Sequence, residues 1–483
     1  MLGALLAARQ WSRIGDYPTG NDPGNWIALG RMLVYAPGDF AKEPFPPLVP
    51  LVMYLGKSTA GPMAFARAME VTSTLAVVAA VYFVAMRELR VSLAMAVAAG
   101  VGFSAYVNEV SAFGGYPQNF GTAFAVVALW AAVSYFRRQR RWYLIAYAGF
   151  LSLTALTHHA TFAVALSTIA VGWTLYATER PTIERFVRVT AALGLATLPA
   201  VLAFLPILWF LVQAGYQPPI NISQIGLVER FQYSAAEAPL IWLWIIAAGA
   251  SYLVLTVHER RERLWKVSAA LLLVGLLLYV GASEVRAFPT LAVGAALAVG
   301  GALERLARQV RRPEWRMAQA AMIAAFLVVL FLQSERRLQL VYPYYAVAND
   351  RLMETAAWMD AHRDEGAFAV RKYRNDWPVV WWFAALTRAH LVGGADPRLL
   401  TFPEQRADAQ LVAALFDVRD DPAVTTQIAQ DHEIRYMVFR PADWENWPAW
   451  WERAQRYTSM AYENDEYVIV DIAERTTAEG ATR

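Results

Sequence analysis

The sequence predicts a polytopic α-helical membrane domain of about 11 spanning helices, followed by a small α/β domain outside the membrane. Of the 483 residues, 57% are hydrophobic and only 17% are charged, whereas ordinary soluble domains carry roughly a quarter charged residues. The deficit of charge is uneven, because Val189–Val228 has no charged residue while Ser334–Arg483 is rich in Arg, Asp and Glu. Two solvents, lipid and water, are therefore expected to surround different parts of the chain.

Ten apolar runs have about the length of a spanning helix, and the predicted spans are Met63–Met86, Leu93–Val107, Phe120–Phe136, Tyr143–Leu156, Thr161–Ala177, Thr190–Val212, Leu240–Val257, Val267–Ala282, Leu291–Leu303 and Ala318–Leu332. Met1–Trp11 is apolar but shorter than a span, and it lacks the basic flank and the cleavage site of a signal peptide. We interpret it as the outer end of a first spanning helix, which leaves open whether the start of the chain is incomplete.

Basic residues fall in every second loop between these runs, in clusters at Arg87–Arg90, Arg137–Arg141, Arg180–Arg188, Arg260–Lys266 and Arg305–Arg316. Short loops rich in Lys and Arg stay in the cytoplasm. The alternation therefore predicts a multi-pass plasma membrane protein with a cytoplasmic N-terminus and a C-terminal domain outside the cell. The predicted outer loops are Ser12–Pro62, Asn108–Asn119, His158–Ala160, Gly215–Pro239 and Ser283–Thr290.

The predicted membrane domain covers residues 1–333, with a long first outer loop at residues 12–62. That loop contains a helical stretch at Trp26–Val34, which we expect to lie along the membrane surface. Residues 334–473 are predicted to form the outer α/β domain, because helical and strand patterns alternate there. The expected helices are Arg351–His362 and Val379–Leu386, and the expected strands are Ala367–Lys372, His390–Val392, Glu433–Phe439 and Glu466–Ile472. The polar tail, residues 474–483, is expected to be disordered.

Several classes of function are disfavoured by composition. A net charge of +3 without a continuous basic face argues against nucleic acid as a partner. The absence of cysteine excludes disulfides, thiolate metal sites and cysteine nucleophiles. The sequence contains no credible nucleotide-phosphate loop, dinucleotide motif or serine-hydrolase elbow.

Acidic residues at predicted outer helix ends are the first candidates for chemistry. Asp22 stands in Gly20-Asn21-Asp22-Pro23-Gly24, directly before a predicted helix, where it can be a fixed general base or only a helix cap. Asp16 is a second, weaker candidate in the same loop. Glu109 is the lone charge between Val91 and Phe136, and it is either an acid facing a cavity shared with Asp22 or a carboxylate that simply reaches water.

Histidines and one arginine are candidates for holding an anion on the same side. His158 and His159 follow an apolar run, and their adjacent spacing is weak evidence for a metal site. Glu284 and Arg286 lie in a predicted outward turn, where the arginine can bind a phosphate through two parallel hydrogen bonds or pair with the glutamate.

The arrangement resembles the C-type (GT-C) superfamily of polytopic membrane glycosyltransferases that use lipid-phosphate sugars. The resemblance rests on a spanning helix, a long outer loop with Gly20-Asn21-Asp22, a surface helix, and Phe45-Pro46-Pro47-Leu48-Val49-Pro50 before the next span. It covers the whole chain in architecture. The chain lacks the paired acids of the protein O-mannosyltransferases and the Trp-Trp-Asp signature of the oligosaccharyltransferases, so the specific family is unassigned.

The resemblance implies an inverting transfer of a sugar from a polyprenyl phosphate or diphosphate donor to a glycan, lipid or protein acceptor in the cell envelope. It implies Asp22 as the catalytic base, with Glu109 assisting, and Arg286, His158 and His159 at the donor phosphate. Supporting or acceptor-binding roles fall to Asp16, Tyr116, Gln118 and Glu284. A divalent metal can supply part of the positive charge at the phosphate, but no clear ligand set marks its site.

Two other classes of protein compete with this interpretation. A lipid or sugar transporter or flippase places ionisable groups near the bilayer midplane and often contains an internal repeat of helices, whereas the candidate groups here lie at outer helix ends. A non-catalytic assembly subunit would use the outer domain to bind a partner, consistent with the tryptophans of Trp444–Trp451. The sequence does not distinguish the sugar, the carrier length or the acceptor.

Overall fold

The computed structural model describes residues 2–40, 45–213, 240–257, 262–281, 288–309, 313–371, 379–393, 403–417, 422–443 and 447–472. The described helices of residues 1–345 are α1 (Leu2–Ile14), α2 (Asp22–Tyr35), α3 (Pro37–Phe40), α4 (Leu48–Ala60), α5 (Pro62–Ala85), α6 (Val91–Gly102), α7 (Ala105–Ala112), α8 (Tyr116–Arg138), α9 (Arg141–Thr157), α10 (His159–Ala177), α11 (Ile183–Gln213), α12 (Leu240–Leu255), α13 (Arg263–Gly281), α14 (Phe288–Gln309) and α15 (Pro313–Tyr345).

Each predicted span coincides with at least one of these helices, because apolar runs of this length form helices whose backbone groups are all paired internally. Within the described residues, six helices are both long and apolar enough to cross a membrane: α5, α8, α10, α11, α14 and α15. The other helices at predicted spans are shorter or less apolar. The total of 11 spans therefore stays a prediction.

The predicted span Leu93–Val107 is broken into α6 and α7, which the hydropathy pattern did not indicate. The break lies at Ser104, whose backbone is extended with φ −62° and ψ 126°. The side chain of Asn108 donates hydrogen bonds to the carbonyl oxygens of Gly102 and Ser104 at 3.0 and 2.7 Å. The bond to Gly102 gives a partner to a carbonyl group at the end of α6, and the bond to Ser104 adds to the backbone hydrogen bond that its carbonyl oxygen accepts from Asn108.

Helix α8 lies at the centre of the membrane domain and is almost entirely buried. It packs against α5, α9 and α10, and Gly121 lets α10 approach closely, since a Cβ there would lie 3.0 Å from the side chain of Thr161. The first residue of this helix, Tyr116, is also buried.

The C-terminal domain contains a five-stranded sheet in the order β2-β1-β3-β5-β4. β1 pairs in parallel with β2 and β3, whereas β5 pairs antiparallel with β3 and β4. Its described elements are α16 (Asp350–Ala361), β1 (Ala367–Val370), α17 (Val380–Leu386), β2 (Leu391–Gly393), α18 (Pro403–Asp417), α19 (Pro422–Asp431), β3 (Ile434–Phe439), α20 (Trp447–Ala454), β4 (Ser459–Glu463) and β5 (Val468–Asp471).

All four expected strands and both expected helices occur with shifts of a few residues at their ends. The strand β4 was not predicted; it lies at one edge of the sheet and is only partly buried. Its residues Ser459–Glu463 have no long apolar run, and an edge strand with a solvent-facing side needs none. The tail, residues 474–483, lies outside the described residues.

The C-terminal domain packs directly on the segment at residues 12–62 through α17 and α2. The guanidinium of Arg31 on α2 donates a hydrogen bond to the carbonyl oxygen of Thr387 at 2.5 Å. Tyr17 donates a hydrogen bond to the carboxylate of Asp350, and this bond raises the pKa of Tyr17 to about 12. The loop before α2 is therefore held between the bundle and the C-terminal domain.

Candidate functional site

The segment Gly20–Gly24 joins α1 to α2 and carries the predicted base. Asp22 is the first residue of α2 and Asn21 precedes the helix. Pro23 at the second helical position is favourable, because the first turn of a helix needs no amide hydrogen there. Asp22 is half-buried between the buried residues Asn21 and Pro23. A carboxylate at this position lies at the positive end of the helix dipole, which favours its ionised form.

Two hydrogen bonds hold Gly20 between distant parts of the chain, and a third joins α2 to the turn before α8. The amide of Gly20 donates to the carbonyl oxygen of Tyr345, at the end of α15, at 2.8 Å. The indole Nε1–H of Trp382, from α17, donates to the carbonyl oxygen of Gly20 at 2.8 Å. The indole of Trp26 donates to the carbonyl oxygen of Gly114 at 2.8 Å. The C-terminal domain is thus one of the elements that position Asp22.

Gly20 and Gly114 leave no room for a side chain, because different parts of the chain pack closely around Asp22 at these two positions. Gly20 has φ +81°, and a Cβ there would lie 2.3 Å from the carbonyl carbon and oxygen of Phe113. Gly114 has φ +94°, and its Cβ would lie 2.8 Å from the Cβ of Asp22. Both the left-handed conformation and the lack of space exclude larger residues. The turn between α7 and α8 therefore packs directly against the predicted base.

A second carboxylate, Glu70 of α5, lies next to the Gly20–Gly24 segment and is completely buried. The hydroxyl of Thr19 donates a hydrogen bond to Oε1 of Glu70 at 2.9 Å, and the amide of Thr19 donates to Oε2 at 3.3 Å. Thr19 itself is buried. Both carboxylate oxygens therefore anchor the residue that immediately precedes Gly20.

The Tyr116 hydroxyl interacts electrostatically with both Glu70 and Asp22, and the Tyr116 side chain is fully buried. In the part of the chain that the structure describes, no hydrogen-bond partner is found for this hydroxyl. Buried polar atoms are nearly always hydrogen-bonded, so this hydroxyl is suited to a water molecule or a hydroxyl group of a substrate.

Buried polar side chains join four helices beside this cluster. Gln10 donates to the hydroxyl of Thr74 at 2.8 Å, the hydroxyls of Thr74 and Ser111 are 2.7 Å apart, and Asn119 donates to Ser111 at 2.8 Å. These contacts link α1, α5, α7 and α8. Interhelical hydrogen bonds of this kind stabilise the relative positions of helices in lipid, so the helix ends around Asp22 are fixed with respect to each other.

Glu109 forms an ion pair with Arg337 of α15, with 3.8 Å between the carboxylate and the guanidinium. It lies two residues before Ser111 on α7, which places the two side chains on nearly opposite faces of the helix. Because Ser111 faces the polar cluster, Glu109 points toward α15. The ion pair with Arg337 explains why the charged side chain of Glu109 is stable in a partly buried position. The role of Glu109 as a second acid stays a prediction.

His158 begins α10 as its cap. The amide of Thr161 donates to Nδ1 of His158 at 3.2 Å. An accepting Nδ1 leaves the proton of the neutral ring on Nε2. The rings of His158 and His159 are 5.2 Å apart. The cap gives His158 a structural role, and its predicted contact with a donor phosphate is untested.

Other predicted site residues have less defined places. Asp16 is exposed, and Gln118 is buried in the first turn of α8 close to Tyr116. Glu284 and Arg286 lie outside the described residues, so their shared cavity with Asp22 stays a prediction. Among the described residues, no group of three His, Asp or Glu side chains is placed to hold a metal ion.

Glu70 was missed by the sequence analysis although a signal was present. It lies within the predicted span Met63–Met86, and an ionisable residue inside a span is costly enough to indicate function. The involvement of Trp382 had no comparable signal, because it lies 362 residues from its acceptor Gly20.

Comparison with protein-family models and with curated protein sequences finds no match. Among solved structures, the chain is similar to the arabinofuranosyltransferase AftD from Mycobacteria, with a TM-score of 0.66 and 17% identity over 98% of this chain. It spans 40% of the length of AftD.

The chain is also similar to ArnT from Cupriavidus metallidurans. In the apo state the TM-score is 0.56, with 14% identity and 97% of each chain covered. For ArnT bound to undecaprenyl phosphate it is 0.53, with 15% identity and 98% of each chain covered. The chain therefore has the fold of the GT-C glycosyltransferases, as the resemblance in its sequence implied.

Proposed function

We propose that the protein is a membrane glycosyltransferase that moves a sugar from a polyprenyl phosphate or diphosphate donor to an acceptor at the outer face, with Asp22 as the base. The observation that carries the proposal is the half-buried Asp22 carboxylate, held beside the buried Tyr116 by contacts from three parts of the chain. The solved complex of ArnT, a protein of the same fold, with undecaprenyl phosphate supports a donor of this chemical class.

The reaction is a single displacement at the anomeric carbon. The acceptor hydroxyl or amide attacks that carbon, Asp22 takes the acceptor's proton, and the bond from the anomeric carbon to the phosphate oxygen breaks with its electron pair on the oxygen. The products are the glycosylated acceptor, with inverted configuration, and the polyprenyl phosphate or diphosphate. A cation near the leaving phosphate would stabilise its charge, a role that we assign to Arg286, while the Nε2–H of the neutral His158 can donate a hydrogen bond to the phosphate.

The test is a transfer assay with the purified full-length protein in lipid nanodiscs. A panel of undecaprenyl phosphate sugars, each labelled in the sugar, is supplied with a cell-envelope extract as the acceptor. We expect acceptor-dependent release of unlabelled undecaprenyl phosphate with one member of the panel, and the same rate from the Asp364→Asn variant, whose carboxylate is 91% exposed.

The competing function is distinguished in sealed vesicles. A transporter or flippase would move the intact labelled donor across the bilayer and leave its sugar–phosphate bond uncleaved. Movement of the intact donor without cleavage, for every member of the panel, would contradict the proposed enzyme.

The proposed localisation is the plasma membrane, with Asp22, Tyr116 and the C-terminal domain on the outer side. The alternating basic clusters support this orientation. Single cysteines can be placed freely in this cysteine-free chain. We expect an impermeant thiol reagent to label Asp465→Cys in intact cells and to label Arg138→Cys only after permeabilisation. The opposite labelling pattern would invert the topology and remove the site from the outer face.

A further inference from the structure

Glu70 is a buried carboxylate for which the proposed transfer reaction has no use. It is the ninth residue of α5, which places it roughly 12 Å along the helix from the outer end at 1.5 Å per residue. Its side chain has no solvent exposure. A carboxylate at such a depth is strongly destabilising unless its surroundings satisfy it, so its contacts indicate what it does.

The contacts of Glu70 converge on one residue of the first outer loop. Both carboxylate oxygens accept hydrogen bonds from Thr19, one from the hydroxyl and one from the amide. Tyr342 of α15 and Arg67 of α5 act on Glu70 electrostatically. Because Glu70 accepts from both the amide and the hydroxyl of Thr19, it fixes the backbone and the side chain of that residue.

The anchored residue lies three positions before Asp22. Between them, Gly20 has its amide bonded to Tyr345 and its carbonyl oxygen bonded to Trp382, so the chain has little freedom to absorb a shift of Thr19. A displacement of Thr19 would therefore be passed to Asp22.

We propose that Glu70 is a positioning residue, which sets the depth and direction of the Asp22 carboxylate by anchoring Thr19. This rests on the proposed function only for the consequence in turnover, since the anchoring can be measured without activity. The hydroxyl of Tyr116 also interacts electrostatically with the carboxylates of both Glu70 and Asp22.

The test variant is Glu70→Met, which keeps the length of the side chain but has no oxygen to accept from the amide and the hydroxyl of Thr19. We expect kcat per folded molecule to fall roughly 10- to 100-fold, the range that a misplacement of about 1 Å produces. The KM for the donor should stay within about twofold, because the phosphate and sugar contacts are elsewhere.

Thr19→Val should show the same split between kcat and KM, and Thr19→Ser should restore most of the rate, since it keeps the hydroxyl. The double variant Glu70→Met, Thr19→Val should be no slower than the slower single variant, because both substitutions break the same contact between residues 19 and 70. Additive losses would overturn the proposed coupling.

Two matched controls separate this effect from general damage to the bundle. Thr72→Val changes an exposed threonine of the same helix that bonds to its own helix backbone. Glu304→Gln changes a buried carboxylate that pairs with Arg90 and Arg308. Both should transfer sugar at the rate of the unmodified protein.

Hydrogen exchange provides the readout that does not require activity. In Glu70→Met we expect the amides of Thr19 and Gly20 to exchange at least tenfold faster, with no change in the Thr72→Val control. Unchanged exchange would overturn the anchoring. If exchange rises in Glu70→Met while Asp22→Asn retains full turnover, the anchoring stands and the proposed base is wrong.

Discussion

Asp22→Asn is expected to abolish sugar transfer while leaving donor binding largely intact. The amide has nearly the size of the carboxylate and can keep a hydrogen bond at the start of α2, but it cannot take a proton from the acceptor. Loss of a general base lowers turnover by roughly 10²- to 10⁴-fold. The measurements are kcat in nanodiscs and, separately, the equilibrium binding of the labelled undecaprenyl phosphate sugar.

Asp364→Asn is the matched control, because it makes the same chemical change at an exposed position of the C-terminal domain. It should bind donor and turn over normally. Substantial turnover in Asp22→Asn would mean that the base is another residue, with Asp16 and Glu109 as the next candidates. Loss of donor binding together with turnover would assign Asp22 to the donor site.

Gly20→Ala is expected to reduce turnover by at least about 100-fold and to lower the thermal stability of the protein. The new Cβ would lie 2.3 Å from the carbonyl carbon and oxygen of Phe113, which are backbone atoms and cannot move aside as a flexible side chain can. The segment would have to shift, and a shift of about 1 Å at a catalytic group can cost 10²-fold in rate. The left-handed backbone adds roughly 1–2 kcal/mol for a residue with a Cβ.

Gly15→Ala isolates the steric part of this effect. Gly15 also has a left-handed backbone, with φ +66°, but a Cβ there would meet nothing within 4 Å. This variant should lose a small amount of stability and keep near-normal kcat. Equal losses of kcat in the two variants would show that backbone conformation, and not the contact with Phe113, decides the position of Asp22.

Local pattern predicted the helices well because its physical basis is local. An apolar run of spanning length must pair its own backbone groups, so every predicted span coincides with a helix. The break at Ser104 was not predictable in the same way. Asn108 stabilises it through side-chain hydrogen bonds, and a hydropathy pattern carries no sign of such bonds. The edge strand β4 was missed for a similar reason, since its pattern is weakly apolar.

The sequence by itself determined the class of fold, the expected orientation in the membrane, and the turn in which Asp22 precedes a helix. Tertiary structure alone decided that Glu70 anchors Thr19, that Trp382 of the C-terminal domain donates to Gly20, and that Glu109 pairs with Arg337. These contacts join residues that lie 51, 362 and 228 positions apart in the chain. Hydropathy and turn propensity depend on neighbours in sequence, whereas such pairings depend on how whole helices pack.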